Sequence, residues 1–460
     1  MNAMPSLLGI SRQVRRQAKR AADKLLRRSS IEAGGTGRRW PHAGLRAPSS
    51  EILRRRQLAG ARAAWLVANS PYAAAVLSAW VTNLIADGPS MRVTGVSKRR
   101  RTRLQSEFSV WWDVCDADGL SDLGGFLQRV ARSEFVYGEA FVHLLADPET
   151  GALRLRLWSP EQIDPHLTRD LGNGVKIVAG IEIDAFGRRV AYHVRENADM
   201  PFATPYGTKR IPAEDVLHIF EPNFPGQMRG ISRLAPVATR ITEVDKLEDA
   251  LVAKANTAAL FGGVFYRPDG GGFGEALPAQ GADGEYGMEP GAMIFAPPGY
   301  QVEFTEPPST EGAVDFLRAE IRSIAAGVGM PYELVSGDLS QVNYSSARLG
   351  LLEFRRRIAA LQRNLIIARF LLPVWRRFLL LEGLAGRIEM GVAMSAGAEF
   401  VFPGWAQIDP LKETQADAKA IEARLKSRFE VISARGRDPD VVDEEIRQDA
   451  APPVQQKEAA

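Results

Sequence analysis

Cysteine is almost absent: the 460-residue chain holds one, Cys115. A lone cysteine closes no disulfide within the chain and builds no thiolate zinc site, and it suits a reducing compartment. Histidine is nearly as scarce, with His42, His143, His166, His193 and His218 scattered and no pair at i,i+4 as a ligating helix would carry. Each is expected to be structural. The longest greasy stretch, Leu365 to Leu381, contains Arg369, Arg376, Arg377 and Pro373. Three arginines in a bilayer core are costly, so no membrane partner is expected. There is no G-x-x-x-x-G-K-[ST] loop for a nucleotide and no G-x-S-x-G elbow. Asp116-Ala117-Asp118-Gly119 looks like half a calcium loop, but its first ligand position would fall on Val114 and its twelfth on Gly125. A turn is expected there, with Cys115 in the core, and neither metal nor cofactor.

What is present reads as an ordinary globular chain long enough for two or three lobes, 45% hydrophobic and 25% charged. The net charge of +3 hides an asymmetry. Through residue 60 there are 14 Lys/Arg against Asp23, Glu32 and Glu51, so the segment carries 14 − 3 = +11 and the rest 3 − 11 = −8. The basic part lacks an apolar h-region and is not expected to be a secretory signal. It reads as a solvated arm or as one that touches nucleic acid or an acidic surface.

Periodicity divides the remainder. Helices are expected over 48–86, with Ser50 capping one near Glu51 and Pro71 opening a second whose face holds Val76, Leu77, Trp80, Val81 and Leu84. Others are expected around Phe108–Trp112 and over 122–133. From Phe135 the period becomes that of strands: Phe141–Leu145 with Leu153–Leu157, Val175–Ile183 with Arg189–Val194, and Pro212–Phe220, joined by turns such as Asp147–Gly151 and Asp184–Gly187. A helix from Ser232 to Leu260 follows. Between Gly262 and Gly299 lie 11 Gly and 5 Pro in 38 residues, a composition for loops and short strands such as Ala292–Ala296 and Gln301–Phe304. Over 311–328, Val314, Leu317, Ile321, Ile324 and Val328 step by three and four, a narrow seam for packing on another helix. A polar loop, Ser336–Ser346, leads into a long helix, Ser345–Leu372, which Pro373 should kink or stop. Seven arginines and no acid lie between Phe354 and Leu381. Helices near Leu411–Arg424 and Asp438–Arg447 close the chain. The class is α+β, with a largely antiparallel sheet.

The order helix, Gly/Pro loop, helix, polar loop, long helix resembles that of the lambda-type family of tailed-phage portal proteins. Tyr137-Gly138-Glu139-Ala140-Phe141 is similar to that family's Gly-Glu-x-Phe strand, and Gly230-Ile231-Ser232-Arg233-Leu234 resembles its Gly-x-Ser-x-Leu helix start. Further likenesses are Ile324 to Glu333, Gly337-Asp338-Leu339-Ser340 with Asn343-Tyr344-Ser345-Ser346-Ala347-Arg348, and Trp405 with Ile408-Asp409-Pro410. Together they cover roughly residues 50 to 445.

The resemblance implies a portal fold. It divides the chain into a basic arm at 1–47, an α/β wing at 48–231, stem helices at 232–261 and 311–330 and a small clip at 262–310. A channel loop at 331–346 follows, then a long spanning helix and wing return at 347–400, and crown-like helices at 401–460. It implies a homo-oligomeric ring, usually of twelve subunits, at the capsid vertex of a virion assembled in the bacterial host cytoplasm. Double-stranded DNA would pass through the ring. The partners would be major capsid protein and scaffold, the terminase large subunit and head–tail connector proteins. Stem packing would fall to Val314, Leu317, Ile321, Ile324 and Val328, and the channel-facing residues would be Ser340, Gln341, Val342, Asn343, Tyr344 and Ser345. No catalytic residue is expected. The competing readings are a scaffold or baseplate-like ring without DNA passage, and an unrecognised nucleic-acid-processing enzyme.

Overall fold

The computed structural model describes residues 48–196, 206–260, 263–266, 301–304, 312–340, 344–405 and 410–449. The arm at 1–47, most of the expected clip including Ala292–Ala296, and Gln341, Val342 and Asn343 lie outside the described residues, as does Ile408-Asp409. The chain divides into units 1–51 and 52–460, and the packing below is that of the second.

Helix α1 spans Pro48–Asn69, starting slightly before the expected Glu51, and α2 spans Pro71–Ile85. Pro71 sits in the first turn of α2, where a missing N–H costs nothing. The five apolar residues read from the period of α2 are all buried. Helix α3, Lys98–Asp113, carries Phe108 into contact with Trp111, Trp375 and Phe378, at ring-centroid distances of 5.0, 5.3 and 5.2 Å. Helix α4 runs Leu123–Tyr137. The Asp122 carboxylate accepts from the Gly125 N–H at 2.8 Å at its start, and Gly138 ends it at φ 83°. Between them Asp116 makes the expected turn. Its buried carboxylate accepts from the N–H groups of Asp118, Leu120 and Ser121 and pairs with Arg129. Cys115 is fully buried, and burial pushes its thiol up to about 12.

Strands β2 (Glu139–Ala146), β3 (Leu153–Trp158) and β9 (Val216–Phe220) form an antiparallel sheet in the order β3-β2-β9. Alternation splits its side chains between two cores. Ala140, Val142, Leu144, Leu217 and Ile219 face the large helical core. Phe141, Trp158 and Val216 face a second core with Ile163, Ile181, Tyr192, Val194 and Ile211. That second core is closed by a sheet of five sequential antiparallel strands: β4 (Arg169–Gly172), β5 (Val175–Val178), β6 (Ile181–Ile183), β7 (Arg189–Glu196) and β8 (Tyr206–Pro212). Two expected strands are each divided. Val175–Ile183 breaks at Ala179-Gly180 because both sit at positive φ, and the Asp164 backbone occupies the place a Gly180 side chain would take. Pro212–Phe220 breaks at a 3₁₀ turn over Ala213–Asp215. Strand β1, Ser90–Thr94, pairs antiparallel with the distant β12, Gly397–Val401; neither was expected.

Helix α5 spans Ala238–Leu260, starting later than the expected Ser232. Pro236 cannot donate a helical hydrogen bond and disfavours helical geometry at Ala235, so 232–237 form turns. Strands β10 (Gly263–Tyr266) and β11 (Gln301–Phe304) pair antiparallel. Helix α6, Ala313–Val328, ends at Gly329 (φ 73°), and a short α7, Tyr332–Ser336, ends at Gly337 (φ 68°). Helix α8 spans Tyr344–Leu361 and α9 spans Leu372–Leu384. Pro373 does not stop the long helix. Residues Gln362–Leu371 wind as a π-helix, with the Leu372 N–H donating to the Ile367 carbonyl five residues back, and α9 continues from it with Pro373 in its first turn. The wider turns supply room for the pyrrolidine ring. After α10 (Met390–Ser395) come α11 (Pro410–Glu422), α12 (Arg428–Ala434) and α13 (Pro439–Asp449); α12 was not expected. Among the described residues no helix is long and apolar enough to cross a membrane, and no cluster of ligating side chains could hold a metal.

Candidate ring-forming and channel-facing site

Two sequence motifs separated by some ninety residues dock on each other. Gly138 and Gly230 let their backbones meet: a Cβ at Gly138 would overlap the Ile231 peptide, and one at Gly230 would overlap the Gly138 carbonyl. The contact places Glu139, fully buried, beneath Arg229, also fully buried. Arg229 Nε donates to both Glu139 oxygens at 3.0 Å and its Nη2 to Oε1 at 2.7 Å, while the Gly230 N–H donates to Oε2 at 2.9 Å. Arg56 of α1 adds a bond of 2.7 Å. The remaining Arg229 donors reach the Ala179 and Pro160 carbonyls at 2.7 and 2.9 Å. One carboxylate thus joins α1, β2, the β5–β6 turn and the approach to α5.

Burial opposes the charge of Glu139, but Arg229, the His218 bond and Arg56 outweigh it and hold the carboxyl far below its usual range. His218 lies between Phe141 and Phe220, ring centroids at 4.2 and 4.4 Å. Burial lowers its pKa to about 4, so the ring is neutral near pH 7 and its Nε2–H donates to Glu139 at 3.1 Å. A second anchor is Arg233, which grips Glu134 bidentately, pairs with Glu221 at 2.9 Å and lies 4.5 Å over the Trp80 ring.

From this base α5 and α6 lead away. Ile241 and Val244 of α5, and Ile321, Ile324 and Val328 of α6, are buried. Leu317 is half-buried, and Arg240 pairs with Glu320 at 2.6 Å. Farther along both helices the apolar residues lose cover: Val252, Val314 and Phe316 are 59%, 59% and 55% exposed. The expected seam therefore splits, with Val314 outside the core of its own chain. Two polar bonds brace α5 against α2: the Ser70 hydroxyl donates to Asp245 at 3.0 Å and the Tyr72 hydroxyl to Glu248 at 2.5 Å.

The loop after α7 starts from a fixed point. Asp338 accepts from the Ser340 N–H at 2.9 Å and from the Tyr332 hydroxyl at 3.2 Å, with Arg318 of α6 at 3.6 Å; the bonds from Ser340 lower its pKa. Of the six candidate loop residues, Ser340 has a described environment, Gln341, Val342 and Asn343 lie outside the described residues, and Tyr344 and Ser345 contribute the first turn of α8.

A model of the phage portal protein, lambda family, matches residues 34–362. The chain belongs to that family. As a portal protein it is a structural component of the virion and not an enzyme. It is 27% identical over 369 residues to the probable portal protein of Halomonas phage phiHAP-1, covering 76% of this chain and 70% of that one. It is 24% identical over 433 residues to portal protein B of Escherichia phage lambda, covering 82% and 80% of the two chains. Among solved structures, a chain in the neck of a native GTA particle computed with C12 symmetry aligns with a TM-score of 0.50 and 14% identity, covering 82% of this chain and 89% of that one. A chain from the neck of an empty GTA particle computed with C6 symmetry gives a TM-score of 0.51 at 15% identity, over 85% and 94%. These likenesses show the fold.

Within this portal chain, the buried Glu139–Arg229–Arg56–His218 cluster was not read from the sequence. Glu139 and Gly230 stand in motifs that were singled out, but a charged residue in a strand gives no sign that its partners lie far along the chain.

Proposed function

We propose that the protein forms a ring at the capsid vertex through which double-stranded DNA is packaged and ejected, and that terminase and head–tail connector proteins dock on it. The observation that carries this reading is the α5–α6 pair, covered at its base by its own chain and bare along Val252, Val314 and Phe316. A ring of identical subunits closes through heterologous contacts, and such a half-covered pair offers one face to a neighbouring copy. In this reading 48–231 is the wing, α5 and α6 lie in the stem segments 232–261 and 311–330, and 262–310 is the clip where terminase docks. The segment 331–346 is the channel loop, 347–400 the spanning helix and wing return, and 401–460 the crown.

The loop residues Ser340, Gln341, Val342, Asn343, Tyr344 and Ser345 would face the channel. They carry no charge, which suits contact with a moving polyanion, because lysines or arginines there would grip phosphates in a salt-dependent way. Asp338, tied to α6 through Arg318, fixes where the loop begins. Changing Gln341 and Val342 to lysine should leave rings intact and slow or block DNA translocation; wild-type packaging by that double variant would refute a channel-facing loop. Removal of residues 1–47 should spare ring formation, and failed assembly would make the arm a clasp.

A further inference from the structure

Beside the π-helix, the end of β9 and the start of the following loop border a half-open cavity of about 160 Å³, lined among others by Phe220, Glu221, Arg357, Asn364 and Arg369. That is space for several waters, and so for a tetrahedral oxyanion with part of its hydration. Its arginines hold unspent donors. Arg357 donates to the Val328 carbonyl at 3.2 Å and has no carboxylate bonded to it among the described residues. The Arg369 guanidinium lies 5.6 Å over the Phe220 ring, likewise with no carboxylate partner among the described residues. Arg189 lies 5.2 Å over the same ring, and its buried Nε has no acceptor among the described residues. The neighbouring acids are already engaged: Glu221 and Glu134 both serve Arg233. Of the residues lining the cavity, Arg357 and Arg369 against Glu221 leave 2 − 1 = +1.

Elsewhere in this chain one bidentate guanidinium can serve a carboxylate, as Arg387 serves Glu382. Two arginines with free donors facing one cavity, with an amide between them, match an anion of more oxygens. Arg369 is half-buried and Arg357 exposed, and a bound anion would supply acceptors for the guanidinium donors that no carboxylate takes up among the described residues. We propose that this cavity binds a phosphate-class oxyanion, held by Arg357 and Arg369 with Asn364 donating from the π-helix. The shared chemistry admits orthophosphate or a backbone phosphate of nucleic acid.

The test is calorimetric titration of the purified full chain with potassium phosphate at fixed ionic strength, with potassium acetate as control. Saturable phosphate binding is expected, weakened about tenfold by Arg369→Gln, which removes one charge-assisted contact, and lost in the Arg357→Gln, Arg369→Gln double variant. Arg369→Lys, which keeps the charge but not the fork, should fall between; it also serves if the double variant does not fold. Displacement of bound phosphate by a short DNA duplex would identify the backbone phosphate as the source, and phosphate binding unaffected by duplex would identify the free ion. No saturable phosphate binding by the wild type, an equal response to acetate, or unchanged affinity in the arginine variants would overturn the site.

Discussion

Glu139 gathers Arg229, Arg56, His218 and the Gly230 N–H on one buried carboxylate. Changing it to Gln would leave Arg229 and Arg56 buried beside a neutral amide. Loss of one member of a buried ion pair costs about 3–5 kcal/mol, and chemical denaturation of Glu139→Gln should show a loss of that order. Gly138→Ala tests the close approach beneath it. At φ 83°, with the Ile231 peptide in the way, the variant should lose well over the ~1 kcal/mol of an ordinary glycine substitution, whereas Gly187→Ala, also at positive φ but in open space, should lose less. His218 gives the cluster a pH signature. Its folded pKa of about 4 lies below the unfolded value of about 6.5, so the unfolded chain binds the extra proton first and stability falls as pH drops from 6.5 towards 4. The window is worth roughly 2–4 kcal/mol. Glu139, with its depressed pKa, adds stability that is present above the ordinary carboxylate range and is lost in stronger acid. His218→Gln, which retains a donor for Glu139, should flatten unfolding free energy between pH 4 and 6.5; an unchanged slope would assign the dependence to other groups.

Helices with strong period and clear punctuation were legible in the sequence, and elements defined by distant partners were not. Pro71 marks the α1–α2 boundary because proline has local meaning in a first helical turn. The face of α2 was read correctly because 3.6-residue periodicity is a property of the segment alone. By contrast β1 and β12 find each other across some three hundred residues, and nothing in either segment announces the other. Pro373 misled in the other direction. Its local effect is to break an α-helix, but the i→i+5 bonding upstream accommodates it. The candidate stem seam shows the same division, since periodicity gave the face and not how far its own chain covers it. Val314→Asp and Phe316→Asp should leave the unfolding transition of the single chain within about 0.5 kcal/mol of wild type, as exposed substitutions do, while lowering the yield of rings by size-exclusion chromatography. A large loss of chain stability would place those residues in a core of their own subunit.

Taken as one molecule, the chain combines a portal-family match over residues 34–362, an α+β fold shared with chains of GTA necks, and a helix pair, α5 and α6, with Val252, Val314 and Phe316 exposed. The charge balance fits a conduit: outside the basic N-terminal 60 residues the sum is −8, which limits non-specific attraction to DNA. The arginines of the long helix do not contradict this, because several are spent on nearby groups. Arg377 pairs with Asp215, Arg356 with Glu353 at 3.2 Å, and Arg355 lies 5.2 Å over Trp405. Ring formation is the property on which the proposed DNA passage and docking depend, and electron-microscopy class averages of the purified full-length chain measure it directly. Closed rings of one subunit number with a central hole are expected. A monodisperse monomer by light scattering, with no annular particles at any protein concentration, would contradict the account.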